Sequence, residues 1–301
     1  MPRLRLLACA ALAVTALSGC SLKTMAVKTV ADTLSESGDV FSRDDDPELV
    51  GDALPFALKL YESLLDSVPN HAPLLVATCS GFTQYAYAFV QTEADIIRED
   101  NYERATELDG RALRLYLRGR DYCLRALDLR FRGASATLTT DAAATLARAQ
   151  RRDVELLYWT AASWGSAIAL APDRPDLLID FPAVRALIDR AAALDDTWGT
   201  GSIHEVLITL ESLESLGGSL DKAREHFARA VELQEGTSPG PYVALATGVS
   251  VARQDRAEFE RLLDQALAID PEASPSTRLV TLITQRRARA LRERTSSFFA
   301  Q

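Results

Sequence analysis

The stretch "AREHFARAVELQEGTSP" (Ala223–Pro239) has a second copy in "FERLLDQALAIDPEASP" (Phe259–Pro275). In the first, Ala223, Phe227 and Ala230 stand at i, i+4 and i+7, which is one face of a helix. In the second, Phe259, Leu263 and Ala266 do the same, each 36 residues further on, and Pro239 to Pro275 keeps that offset. The pattern extends outward. Ala57, Tyr61 and Leu64, followed by Pro69, match Phe259, Leu263, Ala266 and Pro271, and Gly119, Cys123 and Ala126 repeat the spacing. Small residues on such a face let a second helix approach closely.

A repeat of this length with small residues on one helix resembles the second helix of a tetratricopeptide repeat. The first half of that repeat, with its Trp-Leu-Gly-Tyr positions, is missing, so the repeats are degenerate. Strand-like alternation is scarce, and helical periodicity predicts helices at 23–36, 47–67 (bent at Pro55), 72–99, 102–131, 138–170, 181–194, 202–216, 219–234, 240–254, 256–269 and 275–294. The expected fold is all-α: stacked antiparallel helical hairpins resembling degenerate tetratricopeptide repeats, an α-solenoid with a concave surface. Asp46-Pro47-Glu48 reads as a helix start, with an N-cap Asp, Pro at N1 and an acid in the first turn. A calcium loop would need more oxygen ligands at loop spacing.

The N-terminus sets the compartment. Arg3 and Arg5 precede the apolar run Leu6–Leu17. That run is about 18 Å long as a helix, too short for a hydrocarbon core of about 30 Å, so it reads as a signal peptide. It ends in Leu17-Ser18-Gly19-Cys20, which resembles a bacterial lipobox with Cys20 as the acylated residue; an ordinary cleaved signal that happens to carry a Cys is the alternative. Ser21 after the Cys leans towards the outer membrane. The expected organisation is a lipoprotein signal peptide at 1–19, an anchor segment and short helix at 20–46, and a tetratricopeptide-like domain at 47–301.

After cleavage 31 basic and 42 acidic residues remain, a net charge of −11. Such a domain is a poor partner for nucleic acid or an anionic membrane surface. Cys79 and Cys123 sit in apolar helical contexts, which favours buried free thiols, although an oxidising periplasm permits a disulfide. Catalytic signals are weak. His71, His204 and His226 form no HExxH, and CxxC, GxSxG and phosphate-loop motifs are missing. His204 reads as a helix-terminus or packing residue. No catalytic residue, metal ligand or cofactor is assigned.

One helix face poses a sharper question. Wound at 100° per residue, "GFTQYAYAFVQTEAD" (Gly81–Asp95) puts Phe82, Tyr85, Ala86, Phe89 and Val90 on one stripe, with Glu93 in its middle. On the next helix Arg120 lies within the stripe of Leu108, Ala112, Tyr116, Gly119 and Cys123. One reading is two separate buried ion pairs, with Arg104 or Arg111 as the nearer partner of Glu93. The other is a wet cleft walled by Tyr85, Phe89, Glu93, Tyr116 and Arg120, suited to a ligand with an apolar body and a polar end.

Six ordered blocks carry a family resemblance: "DDDPELVGDALPFALKLYESLL", "GFTQYAYAFVQTEAD", "RALRLYLRGRDYCLRAL", "GTGSIH", "LGGSLDKAREHFARAVEL" and "DRAEFERLLDQAL". From about Cys20 to Leu291 the chain resembles the T component of TRAP (tripartite ATP-independent periplasmic) transporters. The resemblance implies a lipid-anchored periplasmic protein of tetratricopeptide-like helices. It also implies a homotrimer with a central pore and binding of the transporter's substrate-binding P component. It carries over no ligand-contacting residues. The resulting expectation is a non-enzymatic accessory subunit of a solute uptake system. The alternative is a tetratricopeptide-like lipoprotein scaffold for envelope assembly.

Overall fold

The computed structural model describes residues 24–35 and 38–299. The stretch expected to be a signal peptide, and Cys20, lie outside the described residues. Among those described, every regular element is helical. The helices that build the packing are, in chain order, α1 (24–35), α2 (Gly38–Ser42), α3 (Pro47–Ser67), α4 (Ala72–Tyr85), α5 (Thr92–Ile97), α6 (Tyr102–Arg130), α7 (Val154–Leu170), α8 (Phe181–Leu194), α9 (Ser202–Glu211), α10 (Leu220–Leu233), α11 (Gly240–Leu245), α12 (Arg256–Leu267) and α13 (Arg278–Glu293).

Local chemistry fixes the starts. Asp46 Oδ1 accepts from the backbone N–H groups of Glu48 and Leu49, at 3.1 and 3.0 Å, and Pro47 opens α3. Asn101, Ser219 and Asp255 cap α6, α10 and α12 in the same way. The expected helix at 138–170 is corrected. Asp141 caps a short turn at Ala142–Leu146, and α7 begins only at Val154. Asp153 causes this break: its carboxylate accepts from Gln150 N at 2.8 Å and takes a two-point contact from Arg130. The expected 202–216 helix stops at Glu211. That carboxylate is buried, pairs with Arg185 at 2.6 Å and accepts from Ser219 N at 2.9 Å, so the chain folds back around it.

From α3 onward the helices pack in chain order, α3 against α4 first. α4 and α5 lie on α6, α6 on α7, α7 on α8, α8 on α9, and so through α10, α11 and α12 to α13. The repeat residues Ala223, Ala230, Phe259, Leu263 and Ala266 are buried, which is why their spacing recurs. Fully burying a Leu or Phe contributes roughly 1.5–3 kcal/mol, so these positions hold neighbouring hairpins together. The order suits a stack of hairpins, yet its ends meet. α13 packs on α5, α2 and α3, and Leu279 and Ile283 form an apolar cluster with Val50, flanked by Phe41, Leu54 and Phe89.

The expectation of free thiols is corrected as well. Cys79 on α4 and Cys123 on α6 form a disulfide, with Cα atoms 5.5 Å apart. Gly119, one turn before Cys123, makes this approach possible: a Cβ there would lie 3.0 Å from the Cys79 carbonyl oxygen. Each cysteine taken with its own helix looks like a core residue, and only the pairing of α4 with α6 makes them partners.

Candidate functional site

The interruption between α4 and α5 shapes the site. Ala86–Gln91 is a π-helical turn, and the Thr92 hydroxyl donates to the Tyr87 carbonyl five residues back at 2.9 Å. A π-bulge adds one residue to the turn, and such bulges are frequent at functional sites. Everything after it is rotated relative to α4. Glu93 therefore leaves the Phe82–Phe89 stripe where uniform winding put it. A second π turn, Ala246–Ser250, follows α11.

The rotation brings α5 against the last helix. Glu93 Oε2 accepts from Arg286 Nη2 at 2.7 Å, while Arg104 pairs with Glu107 and Arg111 donates to the Tyr85 hydroxyl. The expected partners of Glu93 are thus corrected. With 37% of its side chain exposed, Glu93 is not a buried core charge. Beside it Arg287 Nε meets Asp95 Oδ2 at 3.0 Å, and Nη1 contacts the Tyr87 hydroxyl at 3.1 Å. Arg98 reaches Asp95 and Asp109, at 3.4 and 3.0 Å. Burial opposes the Arg287 charge, but Tyr87 and Asp95 outweigh it and hold its pKa above the usual arginine value.

The five residues expected to wall a cleft do not share one surface. Tyr85 and Phe89 are together, ring centroids 5.7 Å apart, and Phe89 extends into the Val50–Leu279–Ile283 cluster. Tyr116 is fully buried and its hydroxyl donates to Gln91 Oε1 at 2.6 Å; burial pushes its pKa far up. Arg120 lies elsewhere, paired with Asp121 at 2.8 Å and stacked 5.5 Å from the Trp164 ring centroid. The residues that the stripes missed are Tyr87, Asp95, Arg98, Arg286 and Arg287. Their one sequence signal is charge: an acidic "TEAD" at 92–95 and a basic "RRAR" at 286–289.

Where α13 crosses α5, a cavity of about 400 Å³ opens. Arg98, Arg287 and Arg294 give it a cationic side, Asp95 and Glu99 an acidic one, and Leu291 and Phe298 an apolar one. Thr247 of the second π turn also lines it. Such a surface can orient a molecule that has a charged end and an apolar body.

The family model for the TRAP transporter T-component matches residues 43–299. The chain belongs to the TRAP transporter T-component family. The match takes in both sides of the α5–α13 seam. A Treponema pallidum (strain Nichols) chain, described as an uncharacterized protein, is 32% identical over 302 residues, covering 94% of each chain. The T component is a transporter accessory component, which is not an enzyme class. None of the helices described here is long and apolar enough to cross a membrane.

Elsewhere His204 does not serve a helix end. Its Nδ1 lies 3.0 Å from Nδ1 of His226, and burial lowers both pKa values. One ring must donate and the other accept, so the neutral pair fits the fold.

Proposed function

We propose that this chain is the T component of a TRAP-type solute uptake system, a lipid-anchored envelope protein that docks the periplasmic substrate-binding P component. Family membership across residues 43–299 is the observation that supports it. Anchoring falls to Cys20, acylated within the outer membrane's periplasmic leaflet. The assembly is a homotrimer. In this reading a transported amphipathic ligand contacts the α5–α13 cavity, where Arg98 and Arg287 stand against Leu291 and Phe298. The wall of Tyr85, Phe89, Glu93, Tyr116 and Arg120 is less suited, because Tyr116 is closed off in the core.

Co-purification from the native periplasm tests the partner. Recovery of a soluble substrate-binding protein is expected; recovery of outer-membrane assembly factors in its place would favour an envelope-assembly scaffold. Cys20→Ser should move the protein from the membrane to the soluble fraction. Light scattering on the lipid-free protein should give three times the chain mass, and a monomer at micromolar concentration would remove the trimer from the proposal.

A further inference from the structure

The helix α3 leaves one face without a partner. Leu49, Ala53, Phe56 and Leu60 follow one another at four, three and four residues, which is one face of a helix, and all four are exposed. Leu49 keeps 60% of its surface in solvent and Phe56 75%. α13 packs on both α2 and α3, and Val40 of α2 and Val280 of α13 are exposed as well. These three helices in mutual contact thus carry five of the ten large apolar side chains exposed among the described residues. Apolar side chains concentrated in this way, and rimmed by polar ones, mark a contact surface. The rim is acidic. Glu48, Asp52 and Asp66 are exposed on α3, and none of them forms an ion pair among the described residues.

The outer face of α6 carries the opposite charge. Arg111, Arg118 and Arg125 recur every seven residues with Arg114 between them, and all four are exposed. Arg118 pairs with Glu62; the other three have no carboxylate partner among the described residues. Three of the guanidinium groups lie over aromatic rings: Arg111 over Tyr85 at 5.6 Å from the centroid, Arg118 over Phe82 at 5.0 Å and Arg125 over Tyr122 at 5.3 Å. The rings fix where these charges stand, so less side-chain freedom is left to lose on binding. The acidic and basic rows also match in length. Asp52 and Asp66 are 14 residues apart, and so are Arg111 and Arg125, which is about 21 Å along either helix.

We propose that the α3 face of one copy of this chain docks, head to tail, against the α6 arginine row of a second copy. The proposal rests on the homotrimer reading above and names the surface that would build it. A contact between two different faces closes into a ring when its rotation allows. Leu49 and Phe56 are its apolar anchors. They meet Leu129, exposed one turn beyond Arg125, and the aliphatic stems of the arginines. Two copies, each of net charge −9, repel one another overall, so association needs a local match of this kind to set its direction. An anionic membrane leaflet is the poorer occupant of the α3 face, because the acidic rim would stand against headgroups of its own sign.

The experiment is sedimentation velocity on the soluble Cys20→Ser protein and on variants that reverse one face each. One carries Asp52→Arg and Asp66→Arg, the other Arg114→Glu and Arg125→Glu. Each alone is expected to be a monomer with the circular dichroism and unfolding midpoint of the parent. An equimolar mixture of the two is expected to associate, because each supplies the face that the other has lost. Phe56→Ser should weaken association of the parent at least about tenfold; it alters no buried group, so it decides the matter if a reversed variant fails to fold. Reversed variants and Phe56→Ser that stay fully associated overturn this surface and leave the homotrimer standing, whereas a monomeric parent overturns both. Two further results overturn the second copy as occupant. If Phe56→Ser keeps the oligomer but loses a co-purifying substrate-binding protein, the face belongs to that protein. If it keeps the oligomer but loses sedimentation with phosphatidylglycerol vesicles, the face belongs to the membrane.

Discussion

Arg287 on the last helix and Asp95 on the first long hairpin meet at 3.0 Å across 192 residues of sequence. The contact holds the end of the helical stack against its beginning. Each side chain is 19% exposed, so water screens the pair only in part. Arg287 also reaches the Tyr87 hydroxyl, within the π turn that aims α5 at α13. The bulge, the ion pair and the cavity beside them are one structural unit.

Removing one partner should therefore cost more than removing a surface charge. Arg287→Ala strands Asp95 with only the longer Arg98 contact, and the expected loss is about 2–4 kcal/mol by urea unfolding. The Asp95→Ala, Arg287→Ala double variant should lose clearly less than the sum of the two single variants. Additive single effects would mean that the pair does not couple the ends.

Glu93→Gln should behave differently. Its partner Arg286 is 57% exposed and Glu93 itself 37%. Exposed pairs contribute about 0–1 kcal/mol, so unfolding should shift by less than about 1 kcal/mol. A loss of about 3 kcal/mol or more would restore the buried-pair reading of this residue.

Helix identity was legible in the sequence because it is local. Asp46-Pro47 marks the start of α3, and the small residues at Ala223, Ala230 and Ala266 mark where helices touch. The α5–α13 seam was not legible, for two physical reasons. A π-bulge leaves no reliable trace in hydrophobic periodicity, and it turned Glu93 out of the stripe in which regular winding put it. The partners of Glu93 and Asp95 lie some 190 residues away, and spacing within one helix does not find them. Of the expected wall, Tyr85 and Phe89 do sit together, because their contact is made within one turn. Tyr116 and Arg120 separate, because Ala167 and Leu170 of α7 pack in the cluster that buries the first, and Trp164 of that helix stacks on the second.

The Cys79–Cys123 disulfide closes a loop with a sequence separation of 44. On the chain-entropy model a loop of that size contributes about 4 kcal/mol. Protein purified from the native cell envelope and denatured without reductant should show no thiol reactivity at these positions. Replacing both cysteines with alanine should lower stability by about 3–4 kcal/mol. Two reactive thiols in the oxidised preparation would return both residues to the free state that their helices alone suggest.

Glu205 sets a pH dependence whose sign can be worked out. Burial raises its carboxyl from 4.5 to about 7 in the fold. Between those values the folded chain holds a proton that the unfolded chain has lost, so this group's contribution falls as pH rises. The penalty is absent below about pH 4.5 and complete above about pH 7. His204 and His226 act in the opposite sense. Burial lowers both, so the unfolded chain gains protons first below about pH 6.5, and stability is lost as pH falls. Glu205→Gln removes only the first effect, and the amide oxygen can still accept from Gln234. The shift corresponds to about 3 kcal/mol at most, and partial exposure of Glu205 reduces that to about 1–2 kcal/mol. The variant should therefore be more stable than the parent by that amount at pH 8 and nearly equal to it at pH 4.5. Urea unfolding at the two pH values checks this. An equal gain at both would trace to packing, and no gain at pH 8 would show that the Glu205 carboxylate is already solvated.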